Sequence, residues 1–164
     1  MPPADRKKAI IAVCGAPQCD GATAALAEMV GRGIAAAGAT LICGGLGGVM
    51  AAACRGARSA NGVTVGLLPG PDASAANPDV LVPIATNMGE MRNALIVQAA
   101  DVLIAIGGDY ATLGEIGLAR AIGRPVVGLR TWNLGRNESG EQHIQTVNSP
   151  EAAVAAALGY AQRR

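Results

Sequence analysis

A pair of glycines, Gly107 and Gly108, separates an apolar run from a segment that is rich in alanine and leucine. The β-branched residues at 101–106 predict a strand, and Thr112 predicts the beginning of a helix. A turn between such elements directs unpaired backbone N–H groups and the positive end of the helix dipole at one point. We therefore expect the turn through Ala111 and Thr112 to bind a phosphate or another anion, with the Thr112 hydroxyl as a further donor.

Two charged residues near this turn are of types that act on a bound anion or on the molecule that carries it. Glu115 lies three residues after Thr112 on the same helix face, where a carboxylate beside an anion is unfavourable unless it faces another part of the ligand. The alternative is a carboxylate that the helix dipole stabilises. Arg92 lies near the beginning of a predicted helix that is otherwise apolar, so it either caps a neighbouring group or faces the ligand.

Two further glycine-rich turns, at 15–21 and 44–48, follow predicted strands. Because the carboxyl ends of parallel strands share one edge of a sheet, we expect all three turns to converge on one crevice. The glycines at 44–48 have a structural alternative, close contact between helix and sheet, and Asp20 most simply caps the first helix. The candidate ligand-binding residues in these two turns are Gly15, Asp20, Gly44, Gly45 and Gly47.

Apolar runs alternate with helix-forming segments along the chain. They predict strands at 9–14, 40–43, 63–68, 80–84, 101–106, 125–129 and 144–147. Helices are predicted at 23–37, 49–60, 89–100, 112–122 and 151–161. This alternation is typical of an α/β fold in which a mainly parallel sheet lies between two helical layers, and residues 1–164 are expected to form a single domain.

The composition excludes several classes of protein. With 51% hydrophobic and 15% charged residues, the chain of 164 residues is expected to fold rather than remain disordered. A net charge of +1 disfavours a broad nucleic-acid-binding face. Residues 1–8 are followed by an apolar stretch of only six residues. This pattern predicts neither a signal peptide nor a membrane span, and we expect a cytoplasmic protein.

The inventory of reactive side chains restricts cofactor and metal chemistry. The four cysteines form no C-x-x-C pair and His143 is the one histidine, so we expect no metal site and thiols that pack in the core. Neither a dinucleotide fingerprint nor a P-loop sequence is present. The two lysines, Lys7 and Lys8, precede the first strand, which argues against a pyridoxal phosphate enzyme such as a lysine decarboxylase.

The chain resembles the LOG-like superfamily over nearly its whole length. The resemblance is carried by Cys14-Gly15, Gly44-Gly45-Leu46-Gly47-Gly48-Val49-Met50, Met91-Arg92-Asn93, and the segment from Gly107-Gly108 through Thr112 to Glu115. It implies a Rossmann-like three-layer αβα sandwich. The LOG enzymes hydrolyse cytokinin riboside 5′-monophosphates to the base and ribose 5-phosphate. By this resemblance Arg92 and Glu115 match the active-site Arg and Glu, and the turn at 107–112 matches the phosphate turn.

Four departures from the LOG signature P-G-G-x-G-T-x-x-E favour a sister branch. Ile106 replaces Pro, one extra residue precedes Thr112, Ala111 replaces Gly, and Asn93 replaces the Lys that follows the Arg. The longer turn is more similar to the branch that includes the molybdenum cofactor carrier protein of algae, which binds a phosphorylated pterin with its metal. The resemblance therefore implies a carrier of the molybdenum cofactor or of a nucleotide, with no further cofactor required.

Two alternatives to a carrier stay open. One is a nucleoside 5′-monophosphate phosphoribohydrolase with Arg92 and Glu115 as catalytic residues, and the other is a nucleotide-sensing module without catalysis. In each case the expected partner is a phosphorylated small molecule, with no nucleic acid and no membrane. The alanine-rich, weakly charged surface further predicts a homo-oligomer, either a dimer or a tetramer.

Overall fold

Seven strands form one parallel sheet in the computed structural model, which describes residues 7–164. The strands are β1 (Ile10–Cys14), β2 (Thr40–Cys43), β3 (Val63–Leu68), β4 (Val82–Ala85), β5 (Val102–Ile106), β6 (Val126–Leu129) and β7 (Gln145–Val147). Their order in the sheet is β4-β3-β2-β1-β5-β6-β7. The absence of a signal peptide was predicted from residues 1–8, of which the first six lie outside the described part of the chain.

Helices cover both faces of the sheet. They are α1 (Gly21–Ala36), α2 (Val49–Ser59), α3 (Arg92–Ala99), α4 (Tyr110–Ala121) and α5 (Pro150–Ala161). Helices α1, α2 and α5 pack together in one layer, and α3 and α4 form the other. The predicted α/β, three-layer αβα arrangement is therefore confirmed, and every observed strand pair is parallel. Within residues 7–164, no helix is both long and apolar enough to cross a membrane.

The central strands are buried on both faces, which explains why they appear in the sequence as continuous apolar runs. Alternate residues of β1 contribute to different layers: Ile11 and Val13 pack with the α1, α2 and α5 layer, and Ala12 and Cys14 face the opposite layer. Cys14 is therefore directed to the side on which α3 and α4 lie.

Close contact between α1 and α2 depends on two glycines. A Cβ atom at Gly31 would overlap the carbonyl oxygen of Ala53, and a Cβ atom at Gly56 would overlap the carbonyl oxygen of Glu28. Both glycines are fully surrounded, so any larger side chain would push the helices apart. Part of the glycine excess in this chain therefore serves helix packing rather than ligand turns.

The connection order creates a crevice between β1 and β5. From β1 the chain proceeds through β2 and β3 to β4 at one edge of the sheet, whereas β5 leads through β6 to β7 at the other edge. Because the connections on the two sides diverge, the carboxyl ends of β1 and β5 are left uncovered at the point where the order reverses. Cys14 and Ile106 end these two strands.

Candidate functional site

A cavity of about 220 Å³ lies at the carboxyl ends of β1 and β5. Its walls come from all three predicted turns and from the beginnings of α3 and α4. Of the predicted residues, Gly15, Gly44, Arg92, Ala111 and Glu115 line it. The remaining predicted residues, which lie outside its lining, are Asp20, Gly45, Gly47, Gly107, Gly108 and Thr112.

Arg92 is a buried cation whose side chain is held by main-chain oxygens. Only 4% of the residue is exposed. Its Nε donates a hydrogen bond to the Leu67 carbonyl at 2.6 Å, and one Nη donates to the Gly44 carbonyl at 3.4 Å. The other Nη donates to the Asn93 side-chain oxygen. Arg92 therefore caps the carbonyls at the ends of two strands, as one alternative predicted, and it also lines the cavity.

The absence of a side chain at residue 44 leaves the space that this guanidinium occupies. A Cβ atom built on Gly44 would lie 2.6 Å from the Arg92 Nη2 atom and 2.9 Å from the Met50 Sδ atom. Gly15 has a different role, since a Cβ atom there would lie 2.6 Å from the carbonyl oxygen of Ile106 at the end of β5. Both glycines are thus required by close approach.

Glu115 projects from α4 into the cavity and is 8% exposed. Burial raises the pKa of its carboxyl from the ordinary 4.5 to about 7, although the positive charge of Arg92 acts in the opposite direction. The negative charge of Glu90 raises this pKa further, and the neighbouring Cys14 thiol lowers it. The pKa of Cys14 is itself well above its ordinary value because of burial and the neighbouring Glu115 charge. Cys14 is therefore a core residue, as expected, that also lines the site.

The prediction that Thr112 begins the helix is wrong. Helix α4 begins at Tyr110, and Asp109 is its N-cap: the Asp109 carboxylate accepts hydrogen bonds from the N–H groups of Ala111 at 3.1 Å and Thr112 at 3.3 Å. These two amides are consequently not unpaired, contrary to expectation. Both Asp109 and Thr112 are residue types that favour a cap, and the earlier one takes the position. Among residues 7–164, the buried Thr112 hydroxyl has no hydrogen-bond partner.

The two glycines of this turn adopt backbone conformations that suit glycine, with φ of 56° at Gly107 and 110° at Gly108. A Cβ atom on Gly108 would lie 2.5 Å from the Thr112 side chain. Gly107 lies beside Thr23 of α1, whose Cγ2 atom would be 3.6 Å from such a Cβ atom. The turn therefore meets the first turn of α1 at the outer side of the cavity.

Asp20 caps α1, as the structural alternative predicted. Its carboxylate accepts a hydrogen bond from the Thr23 N–H at 2.7 Å, and this contact lowers the pKa of Asp20. The positive charge of Arg130 lowers it further. Sequence reasoning missed Arg130, although it directly follows β6 and so belongs to the same sheet edge as the other turns. Its position directly after a predicted strand could have identified Arg130 as a candidate.

Aromatic side chains cover the turn from outside. The ring centroids of Tyr110 and Trp132 are 5.6 Å apart, and Tyr110 is 81% exposed. The Trp132 indole N–H donates to the Asp109 carbonyl at 3.1 Å, and the Thr131 hydroxyl donates to the Gly107 carbonyl at 2.5 Å. The loop after β6 thereby fixes the backbone of the glycine turn and presents an exposed ring beside it.

The cavity is acidic on balance. Its lining holds three carboxyl groups, of Glu90, Asp109 and Glu115, against the single guanidinium of Arg92. Three of the Arg92 N–H groups are directed at protein oxygens. A phosphate inside this cavity would meet net repulsion, whereas N–H or O–H donors of a ligand would find acceptors.

A larger cavity of about 740 Å³ lies at the amino ends of β1 and β5, beside Asp101 and Arg124. None of the predicted residues lines it. Across residues 7–164, no three histidine, cysteine, aspartate or glutamate side chains gather as they would around a metal ion.

Comparison with known proteins identifies a family and a relative that match most of this chain. A family model described as the SLOG cluster4 family matches residues 8–155. An uncharacterized protein of Archaeoglobus fulgidus is 44% identical over 120 residues, which are 73% of this chain and 79% of that protein.

Two solved structures are similar over almost their entire length. The molybdenum cofactor binding protein of Rippkaea orientalis is 30% identical with a TM-score of 0.85, covering 94% of this chain and 98% of that one. The molybdenum cofactor carrier protein of Chlamydomonas reinhardtii is 31% identical with a TM-score of 0.83 and the same coverages. DNA processing protein A of Streptococcus pneumoniae, at 18% identity and a TM-score of 0.71, shares the fold alone.

Proposed function

We propose that this chain, which belongs to the SLOG cluster4 family, binds and carries a phosphorylated small molecule of the molybdenum-cofactor type. The observation that carries the proposal is the cavity between β1 and β5, into which buried Arg92 and buried Glu115 both project. The likeness to molybdenum cofactor carrier proteins supports a ligand of this kind. The molybdenum cofactor is here the cargo, and no further cofactor is required.

The ligand is divided between two regions. A volume of about 220 Å³ is below the range of roughly 300 to 1,000 Å³ that complete drug-sized ligands fill, so the cavity takes one part of the molecule. Because its charges disfavour phosphate, the ring system lies inside and the phosphate lies at the border of the cavity, on the turn of residues 107–112. There Arg130 is the nearby cation, and Thr23 lies alongside.

Asp109 occupies the place of an anion in the free protein. Its carboxylate accepts from the same N–H groups, of Ala111 and Thr112, that a bound phosphate would use at the end of α4. In the proposed complex the phosphate displaces this carboxylate, and the buried Thr112 hydroxyl supplies a further donor. The rest of the predicted set, Asp20, Gly45 and Gly47, supports the turns around the ligand.

The decisive experiment is binding to purified protein. Isothermal titration calorimetry with molybdopterin and AMP, together with mass spectrometry of molecules that co-purify, is expected to reveal at least one phosphorylated ligand. Arg92→Met is expected to weaken binding, and Arg55→Met, on an exposed surface of α2, is the matched control. Absence of binding by every phosphorylated ligand would overturn the proposal.

A second candidate is a nucleoside 5′-monophosphate phosphoribohydrolase. The observation that favours it is the buried Glu115 carboxyl in the same cavity as Arg92. Burial raises the pKa of this carboxyl to about 7, and such a group can both accept and donate a proton near neutral pH. Release of the free base from AMP and from isopentenyladenosine monophosphate tests it. Hydrolysis that disappears in Glu115→Gln supports this candidate, and intact substrate after long incubation with wild-type protein eliminates it.

We also propose a cytoplasmic single-domain protein that forms a dimer or a tetramer and has no nucleic-acid partner. Exposed apolar side chains, of Met91 directly before α3, Leu95 on α3 and Leu118 on α4, support self-association through this layer. The net charge of +1 supports the absence of nucleic acid. Light scattering after size-exclusion chromatography tests the first statement, and a mobility-shift assay with single-stranded DNA tests the second.

A further inference from the structure

The Glu115 carboxylate is a buried acceptor without adequate donors. It is 8% exposed and faces the cavity, and within residues 7–164 the Cys14 thiol is a neighbouring group that acts on its pKa. A thiol is a weak donor, and a carboxylate has about four lone-pair sites. Arg92 does not form an ion pair with it: in the part of the chain that the structure describes, Glu90 is the carboxylate that Arg92 approaches, at 3.9 Å.

A buried acceptor of this kind is satisfied when a ligand supplies N–H groups. We infer that the cavity selects a ring that presents an exocyclic amino group next to a ring N–H, as in the 2-amino-4-oxopyrimidine unit of guanines and pterins, and that Glu115 receives this edge. Two parallel N–H donors match the two oxygens of a carboxylate, as they do when a guanidinium binds. The inference rests on the proposed function and gives the class of ring that the carrier accepts.

Two features of the cavity support a ring edge over other donors. Glu115 is only 8% exposed. A flat ring can enter the cavity and reach its carboxylate while the attached ribose and phosphate stay outside. The volume of about 220 Å³ suits one ring system rather than a whole nucleotide. A carbonyl in place of the amino group would place an acceptor against an acceptor, and the ring would be rejected.

The raised pKa of Glu115 gives this recognition a pH dependence. The pKa is about 7 in the free protein because of burial, and N–H donors from the ligand stabilise the ionised form. Binding of an amino-bearing ring is therefore expected to release protons at pH 7 and to weaken as the pH falls to 6.

The test compares ligands that differ at one position. At pH 8, calorimetry with GMP against IMP, and with a pterin 6-methyl phosphate against its 2-oxo lumazine counterpart, is expected to show at least about tenfold tighter binding of the amino-bearing member in one pair, which corresponds to about 1.4 kcal/mol. In Glu115→Gln this ratio is expected to approach one, with thermal unfolding as the check of an intact fold. The matched control, Glu151→Gln in the exposed first turn of α5, keeps the preference.

The outcomes separate the inference from the function on which it rests. If phosphorylated ligands bind but neither pair shows a preference, or if Glu115→Gln keeps it, the ring selection is overturned and the carrier function stands. A preference that follows the ribose hydroxyls, seen as a loss with 2′-deoxy-GMP and none with IMP, also overturns it. If no phosphorylated ligand binds at all, the proposed function fails as well.

Discussion

Replacement of Glu115 by Gln is expected to change how stability depends on pH. The pKa of Glu115 is about 7 in the folded protein against an ordinary 4.5, so the folded state holds the proton more tightly than the unfolded state. This proton binding contributes stability that is fully present below about pH 4.5 and is lost as the pH rises to about 7. At about 1.4 kcal/mol for each tenfold difference in proton affinity, the loss in the wild-type protein is roughly 3 kcal/mol.

The assay is equilibrium unfolding in urea at several pH values between 5 and 8, followed by far-ultraviolet circular dichroism and the fluorescence of Trp132. The free energy of unfolding of the wild-type protein is expected to fall relative to that of Glu115→Gln as the pH rises. A constant offset between the two proteins reports the amide itself, so the measured quantity is the change of their difference with pH. Glu151→Gln, on the exposed first turn of α5, is expected to follow the wild-type curve.

The raised pKa of Glu115 is contradicted if the difference in free energy of unfolding between wild-type protein and Glu115→Gln varies by less than about 0.5 kcal/mol over this pH range. A change of that size is the effect of an ordinary surface substitution. Such a result would mean that water or a cation reaches the carboxyl in the absence of ligand. The argument for an unsatisfied acceptor in the cavity would then fail together with the expected pH dependence.

Three further substitutions test separate parts of the structure. Gly44→Ala is expected to displace the Arg92 guanidinium, since the new Cβ atom would lie 2.6 Å from Nη2, and to weaken ligand binding about tenfold in calorimetry. Asp109→Asn keeps a good N-cap but removes a negative charge, so inorganic phosphate is expected to bind more tightly by roughly 1 kcal/mol at low salt. Gly31→Ala forces α1 and α2 apart and is expected to destabilise the protein by about 1–3 kcal/mol in urea.

Gly117→Ala is the shared control for the two glycine substitutions, because a Cβ atom at this position in α4 meets no neighbour within 4 Å in the described part of the chain. It is expected to leave ligand binding unchanged and to stabilise the helix by up to about 1 kcal/mol. Equal effects of Gly31→Ala and Gly117→Ala would contradict the close contact of α1 and α2. Phosphate binding that is unchanged or weaker in Asp109→Asn would contradict the idea that this carboxylate competes with the ligand.

The sequence predicted the layers and the sheet edge because those features depend on local periodicity. Buried strands such as β5 appear as unbroken apolar runs, and Ser149 followed by Pro150 identifies the beginning of α5. The state of Arg92 was not predictable, since its partners Leu67 and Gly44 are 25 and 48 residues away in the chain. Only the tertiary structure decides whether such a cation caps, binds or does both.

The role of Asp109 shows why local chemistry alone gave an incomplete site. Asp109 and Thr112 are both good capping residues at the same turn, and a sequence does not state which of them the helix uses. In the folded protein the loop after β6 decides, because Trp132 and Thr131 hold the carbonyls of Asp109 and Gly107. The predicted phosphate turn thus contains its own anion, which a phosphate bound at these amides would have to displace.

The arrangement of charges also explains why a carboxylate lies so near an anion turn. Glu115 lines the cavity whereas Gly107 and Gly108 lie outside its lining, so in the proposed complex each would meet a different part of one ligand. Within residues 7–164, Glu115 lacks strong donors, and Asp109 accepts from the amides that the proposed phosphate would use. A ligand with N–H donors at one end and a phosphate at the other would donate hydrogen bonds to the Glu115 carboxylate and would replace the Asp109 carboxylate at the amides of α4. A ligand that offers only one of these ends is therefore expected to bind much more weakly than a ligand that offers both.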